Sequence, residues 1–318
     1  MRWLCFIACW FAATASATIV WIDTDVSIGS PFREVDDGFA LVLALHSPEI
    51  KIAGLSTTYG NASLASTTRT ARDIIQRFGA AASVRNENVF PGAASAHDLA
   101  QRSAASEALA RALRKQKLTY IALGPLTNLA TLIQLQPKLA AHIERIIFVG
   151  GLPEGDKLVM GPRRSFHIHD ANVFKDSVAA DVVLRSGIPI FLAPVATSSR
   201  LLLNAEDLDR LSASGAAGNY LSSRSKVWLW FWTHAVKETG GPIFDALAML
   251  HVTRPALLSV RNRYAKLDTS GNLVVDRGLT NGSRRVTYCD GFAPETKSFV
   301  MQRLLRSSRG KNVSARDD

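Results

Sequence analysis

Residues 18–45 read TIVWIDTDVSIGSPFREVDDGFALVLAL, and their order decides the fold. A run rich in Ile, Val and Trp has the composition of a strand and ends in Asp23-Thr24-Asp25. A loop containing Gly, Ser and Pro follows, and Asp36-Asp37 then opens an apolar segment of helical period. Strand, loop and helix in that order bring Asp25 and the Asp36-Asp37 pair to one edge of a sheet. Asp23, Asp25, Asp36 and Asp37 crowded there repel one another unless a cation sits among them or some take up protons. Oxygen-only donors suit a hard ion, Ca²⁺ or Mg²⁺. An Asp pair at a helix start also serves as cap and dipole partner, so Asp36-Asp37 alone does not mark a site. Asp23 and Asp25 are different, because in α/β sheets ligands bind at the carboxyl ends of the strands.

The pattern repeats downstream. Strand-like runs at 50–59, 118–123, 145–149 and 188–193 alternate with helix-like runs at 63–78, 98–117, 129–143 and 173–185. Residues 80–96 and 152–169 read as loops, the second long enough to suggest function. Residues 204–238 are helical in pattern and carry Trp228, Trp230 and Trp232. A short helix at 242–251, strands at 259–267, 272–277 and 286–289, and a closing helix at 294–306 complete the chain. The expected fold is one α/β domain over 18–306: an open, mostly parallel sheet flanked by helices, with its site at the C-terminal strand edge.

Composition narrows the class. The 318 residues are 47% hydrophobic, enough for one large core, and carry a formal charge of +10. That charge is dispersed, apart from a basic C-terminal part ending in a tail, 307–318, expected to be disordered. No basic stripe interleaved with aromatics and no zinc-finger spacing is present, so nucleic acid is not an expected partner. Residues 1–17 have the form of a signal peptide: Arg2, an apolar run over 3–13, and the small-x-small site Ala15-Ser16-Ala17. The run is short for a membrane span, so the expectation is export, periplasmic or secreted, with no stable membrane insertion after cleavage. Cys5 and Cys9 leave with that segment, and Cys289 alone forms no internal disulfide.

Each early strand ends in a polar or glycine-rich cluster: Asp23 to Asp25, Thr57-Thr58-Tyr59-Gly60-Asn61, Gly124-Pro125-Leu126-Thr127-Asn128, and Gly150-Gly151. Asp170-Ala171-Asn172 and Asp245-Ala246-Leu247-Ala248 follow. Together, in this order, these strings resemble the nucleoside hydrolase family, the inosine-uridine-preferring N-ribohydrolases, over about residues 19–290 by eye. The resemblance implies Ca²⁺-dependent cleavage of the N-glycosidic bond of ribonucleosides or a related N-riboside. It implies metal ligands at Asp25, Asp37, the Leu123 carbonyl and Asp245, with Asp23 in support. Asp36, Asn61, Asp170 and Asn172 would bind ribose hydroxyls, and Asp25 would be the base for a Ca²⁺-bound water. Homodimers or homotetramers are also implied. The chemistry agrees: an oxocarbenium-like state is stabilised by nearby carboxylates, and vicinal hydroxyls need both acceptors and donors.

Three departures stand out. Residues 26–35 lengthen the loop between Asp25 and Asp36. Phe244 stands where many members carry the His that protonates the departing base, leaving His167, His169 or His234, or stacking by the Trp228, Trp230 and Trp232 set, to assist. An Asn expected after Gly150-Gly151 is absent, and His167 is the candidate substitute. Two other readings compete: a phosphatase of the haloacid dehalogenase type, which also ends a first strand in D-x-D, and a non-catalytic exported nucleoside- or ribose-binding protein.

Overall fold

The computed structural model describes residues 16–306. Most of the expected signal segment and all of the tail at 307–318 lie outside the described residues. The opening run forms strand β1 (Thr18–Thr24), hydrogen-bonded to a parallel neighbour on each side. The remaining strands of its sheet are β2 (Ile50–Thr57), β3 (Val89–Pro91), β4 (Leu118–Ala122), β5 (Ile143–Val149), β6 (Leu152–Pro153), β7 (Ile190–Ala193), β8 (Leu258–Leu267), β9 (Leu273–Asp276) and β10 (Arg284–Phe292). The ten strands lie in the order β3-β2-β1-β4-β5-β7-β10-β8-β9-β6. Every neighbouring pair is parallel except the two made by β8, which runs against β10 and β9. The expected open, mostly parallel sheet flanked by helices is therefore the fold.

Alternation along the strands builds two cores, one on each face. Val20 and Ile22 join a cluster with the helices Asp36–Leu45 and Ala246–Thr253. Trp21 points the other way, into a cluster with Ala104–Lys115, Thr127–Leu135 and Ser177–Leu184. Its indole N–H donates to Ser56 Oγ at 2.8 Å, and its ring stacks on Phe90. Every residue of Asp36–Leu45 is buried. An apolar helix of this kind is an interior element, and its position fixes the two aspartates that begin it.

The element boundaries differ from expectation where local chemistry intervenes. The helix expected over 98–117 begins at Ala104, because Ser103 caps it: Ser106 N donates to Ser103 Oγ at 3.2 Å. That expected over 129–143 divides into Thr127–Leu135 and Pro137–Ala140, since Pro137 disfavours helical backbone at Gln136. Residues 173–185 form Ala171–Lys175 and Ser177–Leu184, with Asp176 capping the second by accepting from Ala179 N at 2.9 Å. Residues 204–238 form Ala205–Ser212 and Ala216–Trp230, parted at Gly215 (φ +125°), and then a π-helical turn, Phe231–Ala235. The helix expected over 242–251 starts at Ala246. The supposed loops hold β3, β6 and a small hairpin of Val159–Met160 with Phe166–His167. No described helix is long and apolar enough to cross a membrane.

Candidate active site

The strand ends meet at the carboxyl edge of the sheet, and the acidic residues meet there with them. Asp23, the last inward residue of β1, is fully buried. Its Oδ1 accepts from Ser56 Oγ at 2.6 Å and Asn128 Nδ2 at 2.9 Å, tying β1 to β2 and to the Gly124-to-Asn128 turn. Burial pushes its carboxyl up to about 6. Asp25 lies just beyond, also buried, and accepts from the Asn61 backbone N–H at 2.6 Å. The close approach requires Gly60: its φ is +155°, and a Cβ there would fall 1.8 Å from Asp25 Oδ2.

Asp36 and Asp37 open their helix opposite this turn, and Asp245 stands at the start of Ala246–Thr253. One carboxylate oxygen from each of Asp36, Asp37 and Asp245 lies within 4.8 Å of the others, and all three residues are buried. Thr24 Oγ1 donates to Asp37 Oδ1, and Asn61 Nδ2 lies 3.4 Å from Asp37 Oδ2. Asp36 Oδ1 and Asp245 Oδ2 are buried without a hydrogen-bond partner. Burial raises the Asp37 carboxyl to about 7, with the Asp36 charge adding to it. Burial holds Asp25, Asp36 and Asp245 well above the usual carboxylate range too. Asp37 contributes second for Asp25, Glu34 and then Asp25 for Asp36, and Asp36 and then Asp37 for Asp245. Unpartnered buried oxygens and mutual repulsion are what a hard divalent cation relieves, and an all-oxygen donor set fits one.

A cavity of about 420 Å³ opens above these carboxylates. Its lining combines Asp36, Asp37, Asn61, Asp245, the Leu123 segment, Asp170 and Asn172 with the apolar Trp232, Phe244, Ile168 and Val195. Asn172 Nδ2 donates to the carbonyls of Leu123 at 2.8 Å and Val149 at 3.0 Å, joining the ends of β4 and β5. Asp170 accepts from Gly151 N at 2.6 Å, and burial raises its carboxyl to about 6.

The structure thus gathers Asp36, Asp37, Asn61, Leu123, Asp170, Asn172 and Asp245 around one cavity, with Asp25 and Asp23 beneath it. Two placements differ from expectation. The close oxygen trio contains Asp36 rather than Asp25, whose carboxylate is drawn to the Asn61 N–H. His167 is exposed at the end of the hairpin strand and does not line the cavity, whereas Ile168 and His169, in the segment that follows, do. His234 is likewise exposed, stacked on exposed Trp230. Trp228 and Trp232, one helical turn apart, are both buried.

Two cavity residues escape sequence reasoning. Glu34, from the lengthened loop, accepts from Trp228 Nε1 at 2.8 Å, and burial raises its carboxyl to about 7. Lys175 follows Asn172 by three residues and lines the same cavity. The spacing from Asp36 to Glu34 gave no sign of which way the loop would turn. A second cavity, of about 560 Å³, lies across Val195 beside the hairpin and contains none of the clustered carboxylates.

Comparison with known proteins agrees with this geometry. Residues 20–299 match the family described as inosine-uridine preferring nucleoside hydrolase. Probable uridine nucleosidase 2 of Arabidopsis thaliana is 27% identical, across 90% of this chain and 97% of that protein. Pyrimidine-specific ribonucleoside hydrolase RihA of Citrobacter koseri is 28% identical, across 77% and 84% respectively. Among solved structures, the plant nucleoside hydrolase PpNRh1 superposes with a TM-score of 0.77 at 23% identity, covering 91% of this chain and 99% of that one. A purine-preferring ribonucleoside hydrolase from Gardnerella vaginalis superposes with a TM-score of 0.75 at 21% identity, covering 91% and 98%. The match over residues 20–299, nearly the whole described chain, means that this chain belongs to the inosine-uridine preferring nucleoside hydrolase family.

Proposed function

We propose that the protein hydrolyses the N-glycosidic bond of ribonucleosides, releasing ribose and free base, and that it does so with Ca²⁺. The observation that carries this reading is the convergence of Asp36, Asp37 and Asp245, remote in sequence, beside one nucleoside-sized cavity. Asp25, Asp37, Asp245 and the Leu123 carbonyl would hold the cation, with Asp36 close enough to share it or to bind ribose. When bound, such a cation supplies Lewis acidity at the site.

The residues divide the remaining work. The pentose hydroxyls go to the polar side, where Asp36, Asn61, Asp170 and Asn172 offer acceptors and donors. Asp25 removes a proton from the attacking water, its carboxylate oriented by the Asn61 N–H. The clustered negative charge favours the positive character that develops on the sugar as the bond breaks. Asp23 acts at a distance, holding β1, β2 and the Asn128 turn in register. Phe244 has no proton to give, so the departing base takes one from water or from His169, the histidine that lines the cavity. This apportionment leaves His167 without a role. Family membership leaves no reason to retain the phosphatase reading.

From the signal-like sequence of residues 1–17 we further propose that the mature protein is exported, periplasmic or secreted, and from its family that it works as a homodimer or homotetramer. The test is ribose release from a nucleoside panel, with phosphate release from a phosphate monoester as control. Ribose from uridine or inosine supports the reading. Binding without turnover would favour the non-catalytic alternative, and release of phosphate without ribose would contradict the reading.

A further inference from the structure

Two polar groups that line the cavity are not used by the ribose chemistry assigned above. Glu34 is delivered there by the 26–35 loop and is fixed at both ends. Its backbone carbonyl accepts from Ser27 Oγ at 2.8 Å, and its Oε2 accepts from Trp228 Nε1 at 2.8 Å. The Trp232 indole is also directed at this carboxylate, whose charge bears on Asp36, and Glu34 lines the cavity. The loop beneath it is packed rather than free: Val26, Ile28 and Val35 are buried, and Trp228, in contact with Phe39, is 3% exposed.

Trp232 is the second group. It is 2% exposed, lines the cavity, and packs edge-on against Phe244. Its indole N–H is directed at the Glu34 carboxylate but stays too far from it to close a hydrogen bond, and it is buried with no other partner. A buried donor left unpaired is unfavourable, and one beside a ligand cavity is satisfied when the ligand brings an acceptor.

A nucleoside whose pentose meets the carboxylates would have the apolar lining, Trp232, Phe244, Ile168 and Val195, for its flat base. The polar edge of that base then meets one acceptor, Glu34, and one donor, the Trp232 N–H. We infer that Glu34 and Trp232 form a base-reading pair, taking an N–H of the base on the Glu34 carboxylate and a neighbouring carbonyl or ring nitrogen on the Trp232 indole. This rests on the nucleoside hydrolase reading above and adds to it a specificity rule: the substrate class is ribonucleosides whose base carries an N–H donor next to an acceptor. N-ribosides whose leaving group lacks that donor are discriminated against.

The test changes the substrate and the protein in turn. Steady-state kcat/KM is measured on the cation-supplemented protein for uridine and for 3-methyluridine, which differs by blocking the ring N–H. The wild type should prefer uridine by at least about tenfold, as expected when a site's buried polar groups are left unpaired. Glu34→Ala and Glu34→Gln should both reduce that ratio, Glu34→Ala to about one, because the acceptor that reads the N–H is gone or altered. Trp232→Phe should raise KM for uridine, with little effect on the affinity for free ribose. A wild-type ratio near one, or a ratio that survives in folded Glu34→Ala protein, would overturn the pair while leaving nucleoside hydrolysis intact. Absence of ribose release from either substrate by the wild type would sink the underlying reading and this one with it.

Discussion

Asp25 is the residue on which the proposed chemistry converges. Asp25→Asn keeps its shape and its contact with Asn61 but removes the basicity. We expect turnover to fall about 10²–10⁴-fold, the usual contribution of a general base, with the melting temperature little changed. Stopped or slow ribose-release assays on the purified variant check this; near-wild-type turnover would remove Asp25 from the mechanism. Gly60 makes a second prediction at this scale. A methyl group there would lie 1.8 Å from Asp25 Oδ2, on backbone with φ +155°. Gly60→Ala should therefore displace Asp25 and destabilise the fold by about 1–3 kcal/mol, read by activity and by denaturant unfolding together. Much at this scale was legible in the sequence. Aspartates at strand ends and helix starts announce themselves because backbone geometry fixes where they go. His167 and Glu34 were not legible, since each depends on how a loop turns: the segment after the hairpin strand Phe166–His167 brings His169 rather than His167 to the cavity, and the packing of Val26, Ile28 and Val35 decides where Glu34 points.

Among the elements, caps decide what periodicity cannot. The helix pattern over 98–117 continues through residues that are not helical, and Ser103 ends the ambiguity by satisfying the N–H of Ser106. Ser103→Ala should cost about 1 kcal/mol, seen as a lowered denaturant midpoint with an unchanged slope; an unaltered midpoint would mean the cap is energetically idle. Helices broken at Gln136, Asp176 and Gly215 follow the same logic, each at a residue whose side chain or backbone competes with the helix. Strand β3 was hidden because three residues at a sheet edge carry no period to read. Strands β1, β2, β4 and β5, by contrast, were legible because central parallel strands must be apolar on both faces.

For the molecule as a whole, the clustered acids couple folding to pH and to cation. In cation-free protein, Asp23 and Asp170 are raised to about 6 and Asp37 to about 7, chiefly by burial. A carboxyl raised on folding binds its proton more tightly in the native state than in the unfolded chain. Stability of the cation-free protein should therefore be greatest below pH 4, as far as these groups decide it, and should fall as pH rises through 7. A divalent cation replaces those protons, so its stabilising effect should grow over the same range. Melting temperatures from pH 5 to 8, with and without millimolar Ca²⁺, measure both trends; a cation-free protein that gains stability steadily to pH 8 would contradict the burial of ionised carboxylates here. His251, stacked on Phe191 and lowered to about 4 by burial, acts oppositely: it stays neutral when folded, so it costs stability as pH falls below its unfolded value of 6.5.

The most direct measurement is Ca²⁺ titration of protein stripped of metal, with heat of binding and ribose release from uridine or inosine followed on the same samples. The account predicts that stripped protein is inactive, that one equivalent of Ca²⁺ binds, and that activity returns in proportion to occupancy. It further predicts that Asp245→Ala loses both signals together. Full ribose release from protein shown by elemental analysis to be free of metal, or Ca²⁺ binding undisturbed in Asp245→Ala, would contradict it.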